Sequence, residues 1–108
     1  MFPCGIKGWL ILLPKRHVGA IHELSKEEMK EFSNILYSLS KTLYSLLKNE
    51  KEYVIQLAEI KGFNHVHFHI VAKPKNLPKK YTGTKIFKIT KETKNLNKEE
   101  VIFAFLSL

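Results

Sequence analysis

Histidine and apolar residues alternate over residues 65–71, in the order His-Val-His-Phe-His-Ile-Val. Successive side chains of a β-strand point to opposite faces, so this spacing predicts a strand with three imidazoles on one face. The other face, with Val66, Phe68 and Ile70, is expected to lie in the core. Three imidazoles together would need many hydrogen-bond partners, so packing alone explains them poorly. The pattern therefore predicts both a sheet and a functional site on it.

Length and cysteine content limit the architecture further. The chain has 108 residues, enough for one hydrophobic core, so residues 1–108 are expected to form a single domain. No apolar run approaches the ~18 residues of a membrane span, and the first residues do not resemble a signal peptide. The lone Cys4 can form neither an internal disulfide nor a multi-cysteine zinc site. We therefore expect a cytoplasmic protein without a membrane partner.

The pattern along the chain predicts an α+β fold, with an antiparallel sheet of about four or five strands, one long helix and a short C-terminal helix. The long helix is expected over residues 25–49, because Ser25 and Glu28 can form a capping box. Its buried stripe is expected to comprise Met29, Phe32, Leu36, Leu39, Leu43 and Leu46. The strands are expected at residues 8–13, 53–58, 65–72 and 86–89, with the second and third forming a hairpin, and the final helix is expected to end at residues 101–106.

The charge balance favours anionic partners. The chain has 18 basic and 10 acidic residues, for a formal net charge of +8. All of the acidic residues are glutamate, which excludes any catalytic triad that needs aspartate. A surplus of lysine is compatible with nucleotides, nucleic acid or an acidic membrane as partners, and equally with a surface that is only solubilising.

The residue pattern alone leaves two chemistries open for the three histidines. Alternate imidazoles on a strand can bind a metal such as zinc through their ring nitrogens. They can also form a nucleophilic site, in which one imidazole attacks phosphorus and its neighbours fix its tautomer and stabilise charge on the target.

The string at residues 65–71 matches the signature of the histidine-triad family, in which three histidines alternate with apolar residues. Two other segments resemble the family in the same order, so the resemblance covers residues 5–89. These are residues 8–18 with Glu23 and Leu24, similar to the family's upstream strand and turn, and residues 76–78 with Gly83 and Phe87, similar to a tail found in some prokaryotic members.

The resemblance implies a nucleotidyl hydrolase or transferase that cleaves at the α-phosphate of nucleoside phosphoramidates or dinucleoside polyphosphates. It implies His67 as the nucleophile that forms a covalent nucleotidyl-histidine, which water then hydrolyses to release a nucleoside monophosphate. His69 would contact the α-phosphate oxygens, and His65 would orient the nucleophile. The family chemistry uses no metal or other cofactor. A purine nucleotide substrate and a homodimer are expected.

Several positions depart from the family pattern. Trp9 stands where many members have a fourth histidine, and Lys73 stands where an arginine is usual. We assign Trp9, Asn64 and Lys73 to nucleotide binding, and His17 to the surface or the supporting structure. Typical members also have an N-terminal strand and helix that wall the base pocket. The resemblance is therefore to a short form, or the first residue of this sequence lies inside a longer protein.

Three other functions remain as alternatives. A nucleotide-binding or regulatory module that has lost turnover is the first, motivated by Trp9 and by the missing N-terminal elements. A metal-dependent hydrolase that uses the three histidines is the second. Nucleic-acid binding through the lysine-rich loop at residues 74–84 is possible but not favoured.

Overall fold

The fold of this computed structural model is an α+β arrangement of one long helix on a small sheet, as the sequence predicts. The structure describes residues 8–59, 61–62, 64–88 and 101–106. Its main elements are strand β1 (Trp9–Pro14), helix α1 (Lys26–Leu47), strand β2 (Lys51–Ile55), strand β3 (Phe68–Lys73) and strand β4 (Val101–Leu106). Short 3-10 helices cover Ile21–Glu23, Lys79–Tyr81 and Gly83–Phe87.

The sheet has the strand order β2-β3-β1-β4. Strand β3 pairs antiparallel with both β2 and β1, and β4 pairs parallel with β1. His69 lies opposite Ile11 of β1 and Ile55 of β2. His69 is therefore held from both sides, in the interior of the sheet.

Two predictions about the C-terminal part were wrong. Residues 101–106 form strand β4 instead of the end of a helix, and the part of 86–89 that is described belongs to the 3-10 helix Gly83–Phe87 instead of a strand. The run Val-Ile-Phe-Ala-Phe-Leu at 101–106 is apolar throughout, and such a run is compatible with either a buried strand or a buried helix. Pairing with β1 decides for the strand. Residues 97–100, where that helix was expected to begin, lie outside the described residues.

Helix α1 begins with the capping box that the sequence predicts. The Ser25 hydroxyl accepts a hydrogen bond from the Glu28 backbone N–H at 3.0 Å, and Glu28 Oε1 accepts one from the Ser25 N–H at 2.8 Å. The same carboxylate binds Arg16, whose Nη2 lies 2.6 Å from Oε1 and whose Nε lies 3.3 Å from Oε2. Hydrogen bonds from Arg16 and from the Ser25 backbone hold the pKa of the Glu28 carboxyl below its usual range. The segment after β1 is thereby tied to the start of the helix.

The sheet has a buried cluster on each face. The helix-side core contains alternate residues of β1 and β3 with Phe32 and Leu43 of α1. The opposite core contains Trp9, Ile11 and Val71, covered by Tyr81 and Ile86. Together these cores place alternate residues of each strand on opposite sides, which leaves the second face to carry the histidines.

The buried stripe of α1 differs from the prediction at its ends. Phe32 and Leu43 are buried, and Leu36 and Leu39 pack against the core together with Ile35. Met29 is 37% exposed and Leu46 is 73% exposed, so both were wrongly assigned to the core. No described helix combines the length and apolarity that crossing a membrane requires.

We predict that Ser25→Ala lowers the free energy of unfolding by about 1 kcal/mol, because an N-cap hydroxyl satisfies a backbone N–H that has no partner within the helix. Urea unfolding followed by circular dichroism measures the change. Ser38→Ala is the matched control, since Ser38 is an exposed residue inside the same helix. Equal stability losses in the two variants would contradict this role for the cap.

Candidate active site

The three histidines reach the second face of the sheet, although only one of them lies in a strand. Strand β3 begins at Phe68, so His65 and His67 precede it, which corrects the predicted start of that strand. The alternation still holds, because Val66, Phe68 and Ile70 all lie in the helix-side core. A hydrogen bond from the Val66 N–H to the Val18 carbonyl, 2.7 Å long, fixes the chain ahead of the strand.

His67 has a defined proton position. Its Nδ1 lies 2.8 Å from the carbonyl oxygen of His65. A carbonyl only accepts hydrogen bonds, so Nδ1 carries the hydrogen and donates it. A neutral imidazole has one ring hydrogen, which leaves a lone pair at Nε2 of His67. This half-buried ring therefore presents a nucleophilic nitrogen.

His69 is buried beside it. The centroids of the His67 and His69 rings are 5.0 Å apart, with an interplanar angle of 73°. The indole N–H of Trp9 donates a hydrogen bond to Nδ1 of His69 over 3.1 Å. Burial, and secondly the charge that His67 can carry, lowers the pKa of His69 from 6.5 to about 4. His69 is therefore neutral at physiological pH.

His65 is held by the end of β1 and by His17. Its Nε2 donates to the carbonyl of Pro14 over 2.8 Å, so a neutral His65 accepts at Nδ1. That nitrogen lies 3.0 Å from Nδ1 of His17, and the two rings stack with centroids 4.9 Å apart. One hydrogen lies between the two Nδ1 atoms, and it comes from His17 when His65 is neutral.

His17 is the site residue that the sequence analysis missed. It stands beside two basic residues in a turn, which favoured a surface assignment. Strand pairing was the signal that could have found it. Because β1 and β3 are antiparallel, residues just after β1 lie opposite residues just before β3, and this brings His17 to His65.

The three residues assigned to nucleotide binding have different surroundings. Asn64 is exposed and directly precedes His65. Trp9 has 0% exposed surface, so it offers no surface to a ligand in this structure, and its indole N–H donates to His69. Lys73 lies four residues beyond His69, roughly 13 Å along the strand, where it forms an ion pair with Glu50. Lys73 is therefore distant from the three histidines, because it lies at the far end of β3.

An apolar depression adjoins His69. It has a volume of about 370 Å³, and its lining includes Tyr53, Ile55, Leu57 and Phe87. The Phe87 ring packs edge-on against His69, with centroids 4.9 Å apart. The Tyr53 hydroxyl accepts a hydrogen bond from the Gly83 N–H over 3.0 Å, which holds the 3-10 helix Gly83–Phe87 against β2. The depression therefore lies next to His69, because Ile55 pairs with His69 and Phe87 packs on its ring.

A metal centre receives no support from the described residues. Among residues 8–59, 61–62 and 64–88, no three histidine, cysteine or glutamate side chains are arranged to hold a metal ion. Both ring nitrogens of His65 have protein partners, and Nδ1 of His69 uses its lone pair to accept from Trp9. In these tautomers the two rings offer no lone pair to a metal ion. The geometry therefore favours the nucleophilic interpretation of the three histidines over the metal-binding one.

The lowered pKa of His69 predicts a specific pH dependence of stability. Between pH 6.5 and about 4 the unfolded chain protonates this residue and the folded protein does not, so acid favours unfolding across this window. The difference in free energy of unfolding between wild type and His69→Gln should therefore be constant above pH 7 and should fall as the pH drops toward about 4. Urea unfolding at several pH values tests this, and a constant difference would contradict it.

Comparison with known proteins agrees with this geometry. The chain is 32% identical over 72 residues to the Schizosaccharomyces pombe protein named adenosine 5′-monophosphoramidase hnt1. That alignment covers 63% of this chain and 50% of the relative, so the chain spans about half the length of that relative. No solved structure matches significantly. The model of the HIT domain family matches residues 3–76, more than half of the chain, and the protein therefore belongs to the HIT (histidine-triad) family.

Proposed function

We propose that this protein is a nucleotidyl hydrolase in which His67 attacks the α-phosphorus of a nucleoside 5′-phosphate derivative. One observation carries the proposal. The His67 Nδ1–H is held by the His65 carbonyl at 2.8 Å, so the lone pair of Nε2 is available for attack. Imidazole is a good nucleophile at neutral pH, and a backbone carbonyl keeps it in the reactive tautomer.

The reaction proceeds in two balanced steps. In the first, Nε2 of His67 forms a bond to the α-phosphorus, and the bond from phosphorus to the leaving amine or phosphate oxygen breaks. The leaving group departs with the electron pair of that bond and takes up a proton. In the second, water attacks the phosphorus, the nitrogen–phosphorus bond breaks and its electron pair returns to Nε2 of His67. The attacking water releases one proton, which balances the proton taken up by the leaving group, and the nucleoside monophosphate leaves. The imidazole returns to its neutral form.

The surroundings of His67 suit an anionic substrate with an apolar base. The ring centroids of His69 and His67 lie 5.0 Å apart, which supports a contact between His69 and the phosphate oxygens. The net charge of +8 attracts polyanions. The depression formed by Tyr53, Ile55, Leu57 and Phe87 offers aromatic and aliphatic contacts to a purine base. It lies next to His69, on whose ring Phe87 packs. Phosphoramidates are the first substrates to test, because the similar fission-yeast protein is named as an adenosine 5′-monophosphoramidase.

We predict that His67→Ala abolishes turnover, with AMP release from an adenosine phosphoramidate falling at least about 10³-fold because the nucleophile is lost. Intact-protein mass spectrometry after brief mixing, quenched without acid, should show a nucleotidyl adduct in the wild type and none in the variant. Diadenosine tetraphosphate is the second substrate. His22→Ala is the matched control, since His22 is an exposed histidine in the 3-10 helix Ile21–Glu23.

Each alternative function gives a different result in the same experiment. Full activity in His67→Ala would overturn the proposal. Nucleoside monophosphate binding by calorimetry, without adduct or product, would indicate a binding module. Stoichiometric zinc with activity lost to chelators would indicate a metal-dependent hydrolase. Affinity for nucleic acid that falls steeply with salt, and does not depend on the histidines, would indicate the lysine-rich loop as the functional surface.

The depression predicts a separate effect on substrate binding. Leu57→Gln should raise KM about 3-fold to 10-fold with little change in kcat, because it removes apolar contact from the base without touching the reacting groups. Leu57 is 62% exposed, so the protein should remain folded. Leu46→Gln on α1, at 73% exposure, is the matched control. An unchanged KM in Leu57→Gln would place the base elsewhere.

Dimerisation and a cytoplasmic location stay predictions. Strands β2 and β4 are the edges of the described sheet. Size-exclusion chromatography with light scattering tests the expected homodimer.

A further inference from the structure

Trp9 occupies the position where the family resemblance has a fourth histidine, and its chemistry differs from that of histidine. Its side chain is completely buried in the cluster with Ile11, Val71, Tyr81 and Ile86. The indole meets His69 edge-on, with ring centroids 5.9 Å apart and an interplanar angle of 87°. The Phe87 ring packs against the same indole at 5.5 Å. The direction of the Trp9 N–H is therefore fixed by packing.

An indole nitrogen can donate a hydrogen bond and cannot accept one. The atom that faces it at 3.1 Å is Nδ1 of His69, which must therefore be unprotonated. Neutral histidine has one ring hydrogen, so that hydrogen is on Nε2. A positively charged His69 would place two N–H groups against each other, and this opposes protonation.

We propose that Trp9 is a positioning residue that holds His69 in its neutral Nε2–H tautomer, so that His69 serves as a hydrogen-bond donor to the group that His67 attacks. Only the role of His69 as a donor to the attacked group rests on the proposed function, because the tautomer is a property of the free protein. Histidine in the place of Trp9 could donate or accept according to its own tautomer and charge, and would leave both states of His69 open.

The surroundings of His69 agree with this assignment. His67 is a titratable neighbour of His69, and the centroids of the two rings are 5.0 Å apart. Tyr53 of β2 and Tyr81 of the 3-10 helix Lys79–Tyr81 belong to the same face. Burial beside His67 lowers the pKa of His69, so the neutral form persists well below physiological pH.

The test is ¹⁵N–¹H correlation spectroscopy of the histidine rings in the ligand-free protein at pH 7, with the His69 signals assigned by their loss in His69→Gln. The wild type should show a single His69 tautomer with hydrogen on Nε2. Trp9→Phe keeps an aromatic ring and removes the N–H, so both tautomers should appear and the pKa of His69 should shift upward. Phe87→Leu removes the other ring contact and keeps the donor, so the tautomer should not change.

The outcomes separate this inference from the proposed function. A wild-type His69 with mixed tautomers or with hydrogen on Nδ1 would overturn the inference, whether or not the protein turns over a nucleotide. An unchanged single tautomer in Trp9→Phe would overturn it as well. The expected tautomer in a wild type that forms no adduct would contradict the proposed function alone. In an active wild type, kcat of Trp9→Phe should fall about 2-fold to 10-fold, the worth of one neutral hydrogen bond.

If Trp9→Phe fails to fold, the wild type alone decides the question. A hydrogen bond from the Trp9 indole to Nδ1 of His69 gives a scalar coupling between the two nitrogens. Its presence supports the proposal, and its absence overturns it.

Discussion

The antiparallel pairing of β1 with β3 is the constraint on which the site depends. It brings Trp9 close enough to donate to His69, and it places the Pro14 carbonyl where the Nε2 of His65 donates to it. The chain that continues beyond β1 then meets the chain that precedes β3, where His17 reaches His65. Backbone hydrogen bonding between the two strands thus determines which groups each imidazole can reach.

One face of the sheet packs against the helix and stabilises the fold, and the other face carries the histidines. The helix-side core holds β3 and the residues before it in register through Val66, Phe68 and Ile70. The capping box, with its Arg16 contact, ties the same helix to the segment after β1. On the other face, the 3-10 helices at residues 79–87 cover Trp9 but leave the depression beside His69 open. A shift of one residue in β3 would exchange the faces and place the histidines under the helix, so packing on one side protects the site on the other.

Local patterns in the sequence were sufficient for part of this structure. The alternation at residues 65–71 gave the correct faces, and the Ser25–Glu28 pair gave the start of α1, because both depend on neighbours in the chain. The contacts of Trp9 and His17 with the histidines depend on pairing between segments 48 and 60 residues apart, which no local pattern contains. Lys73 was assigned from its place after the histidines, but the direction of the strand carries it away from them. Residues 101–106 are apolar throughout, so their partner and not their sequence determines that they form a strand.

Proton positions are what the structure adds to the family pattern. Three histidines in alternation identify which rings take part, but each ring can hold its hydrogen on either nitrogen. In this protein the carbonyl of His65 places the His67 hydrogen on Nδ1, and the indole of Trp9 places the His69 hydrogen on Nε2. Neighbouring rings 5.0 Å apart thereby acquire opposite characters, one with a lone pair on Nε2 and one with an N–H there. The attack on phosphorus that we propose uses both, since a nucleophile must approach the phosphorus while a donor stabilises the charge on its oxygens.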